Sequence, residues 1–108
     1  MVESCKEGDR LKIRLRGDVD HCAAEMLRKD IEELLLDESI GHLLLDFSHV
    51  TFMDSSGIGM IIGRYKTMMQ RKGTVGACGL CAETERLFRM AGLHRIIAIE
   101  QESRTDGK

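Results

Sequence analysis

Proline and tryptophan are absent from this 108-residue chain, and aromatic residues make up only 4% of it. Without proline the chain has no cis-proline turn and no proline-stiffened linker between domains. Long apolar runs are missing as well, because none approaches the ~20 residues that a membrane-spanning helix requires. The sequence therefore predicts neither a membrane-spanning protein nor domains held apart by a rigid linker.

Clusters of basic residues are also lacking. The formal net charge is -2, so electrostatics give no reason to expect nucleic-acid binding. Residues 1–7 carry too many charges for a secretory signal peptide. The 4 cysteines lie in a chain long enough to bury a core, so a disulfide framework is unnecessary. We therefore expect a cytoplasmic protein that binds neither nucleic acid nor membrane.

The composition is that of a globular domain, with 43% hydrophobic residues. The length is close to the common domain size of ~100–150 residues. There is no internal repeat and no change of composition that would mark a boundary. We expect one domain over residues 1–108, with a core at about 9–100 and a polar tail at 101–108.

Hydrophobic periodicity predicts strands that alternate with helices. Leu11, Ile13 and Leu15 alternate with basic residues, which is typical of a strand with one solvent-exposed face. The predicted elements are, in order, a possible edge strand at 2–7, a strand at 11–16, a turn at 17–20, a helix from its cap at Asp20 to about Asp37, a strand at 42–47, a loop at 48–51, a helix from Ser55 to about Gln70, a strand at 74–78, a helix at 83–91 and a strand at 96–99.

Helical spacing predicts which side chains the first two helices bury. The predicted buried faces consist of Ala23, Leu27, Ile31, Leu34 and Leu35 in the first helix, and of Ile58, Ile61, Ile62, Tyr65 and Met69 in the second. The alternation as a whole predicts an α/β fold, with helices packed on a mixed sheet of four to five strands. The strand at 11–16 should lie near one edge, and the nearly continuous apolar strand at 42–47 in the middle.

The residues from Asp54 to Gly57 stand at the entry to the second predicted helix. Backbone N–H groups lack intrahelical partners there, and Asp and Ser side chains can accept their hydrogen bonds. The same position favours negative charge, because the N-terminal end of a helix is partially positive. Two hypotheses therefore remain open for Ser55 and Ser56: they are helix caps only, or they are targets of phosphorylation.

Gly57, Gly59 and Gly63 suggest a nucleotide-binding domain as an alternative. The dinucleotide motif G-x-G-x-x-G fails, because Ile62 occupies its last glycine position, and no Gly-Lys-Ser/Thr follows. A glycine inside a helix costs roughly 1 kcal/mol relative to alanine. We expect the close approach of another part of the backbone to offset this cost, so tight helix packing is favoured over phosphate binding.

The segment Cys78-Gly79-Leu80-Cys81 allows a thiol-redox alternative, because it falls between a predicted strand and a predicted helix. No aromatic residue precedes the pair, and two buried or half-buried small residues are the simpler interpretation. A zinc site would need a second pair of ligands. Cys5, Cys22 and the 4 histidines lack ligand spacing, so we expect no metal.

A hydrolase would pair Ser55 or Ser56 with His49 and with Asp46 or Asp54. A nucleophile elbow requires Gly-x-Ser-x-Gly, and neither serine is preceded by a glycine at the required position. We expect no enzymatic activity and no cofactor.

Residues 52–59, followed by residues 62–66, resemble the signature of the anti-sigma factor antagonists. These are the small STAS-domain proteins of bacterial partner-switching pathways. Residues 17–21, 86–93 and the isoleucine-rich segment at 96–99 fit the sporulation subgroup of that family. The resemblance covers about residues 9–100.

The resemblance implies a non-enzymatic switch protein. Its unphosphorylated form is expected to bind an anti-sigma factor that is also a serine kinase with the histidine-kinase-like ATPase fold, and so to release a sigma factor. It implies phosphorylation of Ser55 and dephosphorylation by a PP2C-type serine phosphatase. Asp54, Ser56 and Gly57 match the rest of the phosphorylation loop, and Asp20 matches an acidic position used in partner contact.

A phosphate adds about -1.5 to -2 charge, which the start of a helix should tolerate. On Ser55 it would lie beside Asp54 and within a surface that also carries Asp18 and Asp20. We therefore expect the switch to act at the interface with little change of fold, in a protein that is a monomer when free. The alternatives are a general-stress-type antagonist with the same switch and, from a different class, a thiol-redox protein using Cys78 and Cys81.

Overall fold

The fold is taken from a computed structural model that describes residues 2–100, so the predicted polar tail at 101–108 lies outside the described residues. The elements are β1 (Glu3–Glu7), β2 (Arg10–Val19), α1 (His21–Leu34), β3 (His42–Met53), α2 (Ser55–Gln70), β4 (Thr74–Cys78), α3 (Ala82–Met90), a 3-10 helix (Leu93–Arg95) and β5 (Ala98–Ile99).

The strands form one sheet in the order β1-β2-β3-β4-β5. β1 pairs antiparallel with β2, and the three other pairs are parallel. The predicted α/β fold with a mixed sheet is therefore confirmed. β3 lies in the centre of the sheet. β2 lies next to the edge, as the one solvent-exposed face of its sequence indicated.

The core lies between one face of the sheet and the helices. Alternate residues of β2 and β3 share that face: Leu11 pairs with Leu43 and Ile13 with Leu45, and all four are buried. Phe47 continues the row and meets the helix residue Phe88 edge to face, with ring centroids 6.4 Å apart. The opposite face carries the basic side chains of β2.

The two neighbouring strands β2 and β3 both run further than the sequence predicts. β2 continues through the predicted turn at 17–20 as far as Val19, and β3 continues through the predicted loop at 48–51 as far as Met53. Gly17 adopts φ +75°, and the register between the strands shifts on either side of it. Such bulges keep two strands paired while one of them contains turn-forming residues.

The helices begin close to the predicted residues, but their buried faces differ. α1 ends at Leu34 and buries Ala24 where Ala23 was predicted. In α2 the buried set includes Met60 and Arg64, whereas Met69 is 50% exposed. The prediction for Met69 is wrong because α2 contacts α1 as well as β3 and β4, which turns a different side of the helix inward.

The last strand is shorter than predicted. Gly92, with φ +79°, follows α3, and the chain then forms the 3-10 helix. The backbone N–H groups of Ile96 and Ile97 donate to the Leu93 carbonyl, so they are used in this turn and not in a strand ladder. β5 is consequently limited to Ala98–Ile99. No helix within residues 2–100 is long and apolar enough to cross a membrane.

Candidate functional site

Two helices begin at neighbouring points on one edge of the sheet. β2 and β3 are parallel, and their last paired residues are Val19 and Met53. The residue after each strand is an aspartate that caps a helix. Asp20 Oδ1 accepts a hydrogen bond from the backbone N–H three residues later at 2.9 Å, and Asp54 Oδ1 accepts one from the N–H two residues later at 2.9 Å. The predicted cap at Asp20 is confirmed, and the two helix N-termini lie side by side.

Ser55 is the first residue of α2 and is exposed, whereas Ser56 is half-buried and donates its backbone N–H to Asp54. Asp20 is exposed and Gly57 is buried. The structure thus places all five predicted site residues at this edge. Among these five residues, Ser55 has an exposed side chain that takes no part in capping either helix.

Gly57 fixes the start of α2 against the strand ends. A Cβ at this position would lie 2.5 Å from Met53 Cγ, 2.9 Å from Met53 Sδ and 3.1 Å from Val19 Cγ1. A side chain cannot be accommodated there unless the strand residues shift. The predicted tight packing is confirmed at Gly57, but the close neighbours are side chains of the strand ends and not the backbone that was expected.

The same prediction is wrong at Gly59 and Gly63. A Cβ at either position would lie more than 4 Å from every described atom outside the adjacent residues and the backbone of its own helix. Both glycines line an open groove of about 350 Å³ between α1 and α2, with Ser56 also in its wall. The sequence does not reveal this groove, because the glycine spacing alone does not say which side of α2 faces α1.

Three carboxylates surround the start of α2. Asp18 lies near the end of β2, where its Oδ1 accepts a hydrogen bond from the Thr51 hydroxyl at 2.7 Å. Asp20 and Asp54 follow the ends of the two strands, which lie ~4.8 Å apart in a sheet. Negative charge is therefore already concentrated around Ser55.

A second groove lies on the other side of the β3 end. It has a volume of about 480 Å³ and is formed by the last residues of β3 and by α3. Phe52 is 51% exposed and Met90 77% exposed at this place. An exposed Phe52 could have been inferred from the alternation with buried Met53 had the strand been predicted to extend this far.

The two cysteines of the redox hypothesis have different environments. Cys78 is buried at the end of β4, and Cys81 is exposed at the N-cap position of α3, with no disulfide between them. The prediction of two buried or half-buried residues is wrong for Cys81, because the loop after β4 brings it to the surface. Hydrogen bonds from the Thr84 hydroxyl and then from the Thr84 backbone N–H lower the pKa of the Cys81 thiol.

Asp46 and His49, two residues of the hydrolase hypothesis, interact with residues other than Ser55 and Ser56. Asp46 is 2% exposed and accepts hydrogen bonds from the Ser48 N–H at 2.9 Å and from Arg14 Nε at 3.3 Å. Burial would raise the pKa of Asp46, but the hydrogen bonds from Ser48 and Arg14 outweigh it, so the net pKa is lowered. His49 Nδ1 lies 3.2 Å from the hydroxyl of its neighbour Ser48. Within residues 2–100 no three His, Cys, Asp or Glu side chains are grouped to hold a metal ion.

The sequence matches the STAS domain over residues 3–105. It is 37% identical over 89 residues to the anti-sigma F factor antagonist of Paenibacillus polymyxa, a match that covers 82% of this chain and 76% of that protein. It is 32% identical over 95 residues to the anti-sigma-B factor antagonist of Listeria monocytogenes, covering 88% and 82% of the two chains.

The fold is similar to that of solved structures with related names. The unphosphorylated anti-sigma factor antagonist SpoIIAA superposes with a TM-score of 0.76 at 20% identity, covering 98% of this chain and 93% of that chain. An anti-sigma factor antagonist from Mycobacterium paratuberculosis superposes with a TM-score of 0.82 at 20% identity, covering 98% and 88%. The resemblance stated from residues 52–59 is thereby confirmed at the level of the family and the fold. The chain belongs to the STAS domain family.

Proposed function

We propose that the chain is an anti-sigma factor antagonist whose binding to an anti-sigma factor is switched off by phosphorylation of Ser55. The observation that carries this proposal is the position of Ser55, which is the exposed first residue of α2, directly after the capping residue Asp54 and at the same edge of the sheet as Asp20. Support comes from the relatives named as antagonists of anti-sigma F and anti-sigma-B factors.

A phosphate on Ser55 is compatible with the fold. The first turn of a helix presents N–H groups and a partial positive charge, which favour an anion. The contacts that hold the start of α2 are the Asp54 cap and the close packing at Gly57, and neither uses the Ser55 side chain. Phosphorylation therefore leaves the structural contacts of this helix start in place.

The same phosphate is incompatible with a docked partner. It adds about -1.5 to -2 charge beside the carboxylates of Asp18, Asp20 and Asp54. Burying a dianion in an interface carries a large desolvation penalty. Repulsion from the nearby carboxylates adds to the free-energy cost. We propose that the partner-binding surface consists of Asp20, Asp54, Ser55, Ser56 and Gly57, and that phosphorylation changes this surface with little change of fold.

The proposed partners are an anti-sigma factor that is also a serine kinase with the histidine-kinase-like ATPase fold, and a PP2C-type serine phosphatase that removes the phosphate. The protein would act in the cytoplasm and have no catalytic activity of its own. We propose the sporulation pathway over the general stress pathway. The identity of 37% to the anti-sigma F antagonist against 32% to the anti-sigma-B antagonist supports this choice.

The test is to incubate the full chain with ATP and the recombinant anti-sigma F factor of Paenibacillus polymyxa, and in parallel with the anti-sigma-B factor of Listeria monocytogenes. Intact mass and peptide mapping then locate any phosphate, and titration calorimetry measures binding. We expect one phosphate on Ser55 and loss of binding once it is attached. Ser55→Ala should bind and accept no phosphate. Ser56→Ala is the matched control and should still be phosphorylated on Ser55.

Binding without phosphate transfer would leave a STAS binding module whose serines only occupy the helix start. Absence of both binding and phosphate with both factors would overturn the proposed function. Amide spectra of the two forms test the interface mechanism, because shifts should be confined to the starts of α1 and α2. Shifts throughout the sheet would contradict it.

A further inference from the structure

The strand β1 forms one edge of the sheet. It pairs with β2 on one side, and within residues 2–100 no strand lies on its other side. All five residues of β1 are exposed. An edge strand presents a row of backbone N–H and C=O groups with which another strand can pair. The geometry of the hairpin between β1 and β2 determines which residues of β1 carry these outward groups.

The hairpin has a two-residue loop, because only Gly8 and Asp9 stand between β1 and β2. Gly8 has φ +61°, which suits the first position of such a loop. The residues that flank a two-residue loop form a hydrogen-bonded pair, and here they are Glu7 and Arg10. Hydrogen-bonded and non-hydrogen-bonded pairs alternate along an antiparallel ladder. Every second residue of β1, counted back from Glu7, therefore bonds to β2.

The backbone groups of Ser4 and Lys6 consequently point away from the sheet, whereas those of Cys5 point toward β2. This arrangement is self-complementary. When two copies of β1 pair antiparallel about Cys5, Ser4 of each copy lies opposite Lys6 of the other, and each such pair exchanges both backbone hydrogen bonds. The two Cys5 residues then form a non-hydrogen-bonded pair with α-carbons ~4.5 Å apart. That separation lies within the range of about 4.4–6.8 Å that a disulfide spans.

The acidic residues of this edge are neutralised within each chain. In the pairing described, Glu3 of one copy lies opposite Glu7 of the other, on the face of the sheet that carries the basic residues of β2. The Glu3 carboxylate accepts a hydrogen bond from Arg16 Nη2 at 2.9 Å. Glu7 is the direct cross-strand partner of Arg10. The two carboxylates therefore meet between basic groups, which reduces their repulsion.

The contact is small. Lys6, whose Nζ lies 3.3 Å from Asp37 Oδ2, stands opposite a serine, so no like charges meet on the helix-covered face. With five residues a side, however, the pairing is well below the roughly 20–30 residues a side of a stable interface. The reduced chain should therefore remain a monomer at low concentration, as the sequence predicts, and only a covalent link makes the pair lasting.

We propose that β1 is a self-pairing edge at which a peroxide oxidant joins two copies of this chain through a Cys5–Cys5 disulfide. The thiolate of one Cys5 attacks the peroxide, the O–O bond breaks, and a sulfenic acid and water form. The Cys5 thiol of the second copy then attacks the sulfenic sulfur, and the S–S bond forms as the oxygen leaves as water. The two sulfurs lose two electrons in all, the peroxide gains them, and the thiol protons leave in the water.

The linked pair leaves the switch residues accessible. β1 extends along β2 only as far as Arg14, whereas β2 continues to Val19 at the edge where Ser55 lies. Five residues of strand, ~16 Å, separate these two points. Because the two copies are antiparallel, their helix starts lie at opposite ends of the joined sheet. The oxidised form therefore presents two switch surfaces in one molecule.

The test uses the full chain alone. Hydrogen peroxide should convert the reduced protein to a dimer in light scattering and non-reducing electrophoresis, peptide mapping should locate the Cys5–Cys5 disulfide, and dithiothreitol should restore the monomer. Cys5→Ser should stay monomeric. Cys22→Ser and Cys81→Ser remove the two other exposed thiols and are the matched controls, which should dimerise like the wild-type chain.

Two further variants separate strand pairing from chance collision of thiols. Ser4→Pro removes an outward N–H without breaking a bond to β2, and should slow dimer formation roughly tenfold or more. Glu7→Lys replaces repulsion with attraction on both sides of the axis, and should speed it severalfold. Glu33→Lys makes the same charge change at an exposed position of α1 and should have little effect.

A disulfide through Cys22 or Cys81, equal rates in all variants, or no dimer after oxidation would each overturn the inference. The non-covalent pairing is followed in Cys5→Ser, in which the amide signals of Ser4 and Lys6 should shift as protein concentration rises. Signals that do not change with concentration would contradict the pairing. No anti-sigma factor takes part in these measurements, so their failure would leave the proposed function as it stands.

Discussion

Replacing Gly57 with alanine should destabilise the protein, whereas the same replacement at Gly59, two residues further along α2, should stabilise it. At Gly57 the new methyl group would lie 2.5 Å from Met53 Cγ and 3.1 Å from Val19 Cγ1, distances that force these core side chains to move. Overpacking of this kind costs about 1–3 kcal/mol. The gain in helix propensity offsets at most ~1 kcal/mol of it.

At Gly59 only the gain in helix propensity remains, because no described atom outside the adjacent residues and the helix's own backbone lies within 4 Å of the new methyl group. We therefore expect the free energy of unfolding to fall by up to ~2 kcal/mol for Gly57→Ala and to rise by ~1 kcal/mol for Gly59→Ala. The two variants carry the same chemical change in the same helix, so effects on the unfolded chain largely cancel between them.

Urea unfolding followed by circular dichroism measures the difference. With m values of about 1–3 kcal/mol/M, a change of ~1 kcal/mol moves the midpoint by roughly 0.3–1 M. The midpoints should lie on opposite sides of the wild-type value with unchanged slopes. A Gly57→Ala protein as stable as Gly59→Ala would refute the argument that Gly57 is required by the packing of α2 on the strand ends.

Three further predictions concern single side chains. Because the pKa of Asp46 is lowered in the folded state, its contribution to stability is present above its unfolded pKa of ~3.9 and is lost as the pH falls through the lower folded value. Asp46→Asn should reduce the free energy of unfolding by about 1–3 kcal/mol at neutral pH and flatten its decline below about pH 4 in urea titrations. Asp54→Ala should lose about 1 kcal/mol of stability through the missing cap, whereas Asp54→Asn should keep it in the same assay. Thr84→Val should raise the pKa of the Cys81 thiol and slow its alkylation by iodoacetamide, followed by peptide mass analysis.

Local chemistry was sufficient to predict much of this fold. The strand at 74–78 and the helix from Ser55 to about Gln70 are confirmed, because their boundaries are marked by glycine and by the Asp54 cap. The ends of β2 and β3 were missed for a non-local reason. Gly17 and its polar neighbours read as a turn, and only pairing with the adjacent strand keeps them extended.

The candidate site likewise has features that local sequence predicts and features that depend on tertiary packing. Asp20 was predicted as a helix cap from residue type and position, and it accepts the expected backbone hydrogen bond. At the second helix Asp54, Ser55 and Ser56 were all candidate caps, and the structure shows Asp54 as the acceptor. The groove at Gly59 and Gly63 and the burial of Arg64 depend on how α1 packs beside α2. The way in which two helices pack cannot be read directly from one sequence. The prediction of tight packing at these two glycines was therefore wrong.

The start of α2 separates the groups that hold the fold from the group that is proposed to change. The Asp54 carboxylate and the bare α-carbon of Gly57 face the strand ends and the helix backbone, and the Ser55 side chain is exposed between them. Because the cap is itself a carboxylate, the residue that stabilises the helix also keeps a fixed negative charge beside the serine. A phosphate on Ser55 would thus be stabilised by the dipole of α2. In the interface with a docked partner it would instead be disfavoured by the nearby carboxylates and by desolvation. We propose that these opposed electrostatic effects allow a single modification to alter binding while the fold stays the same.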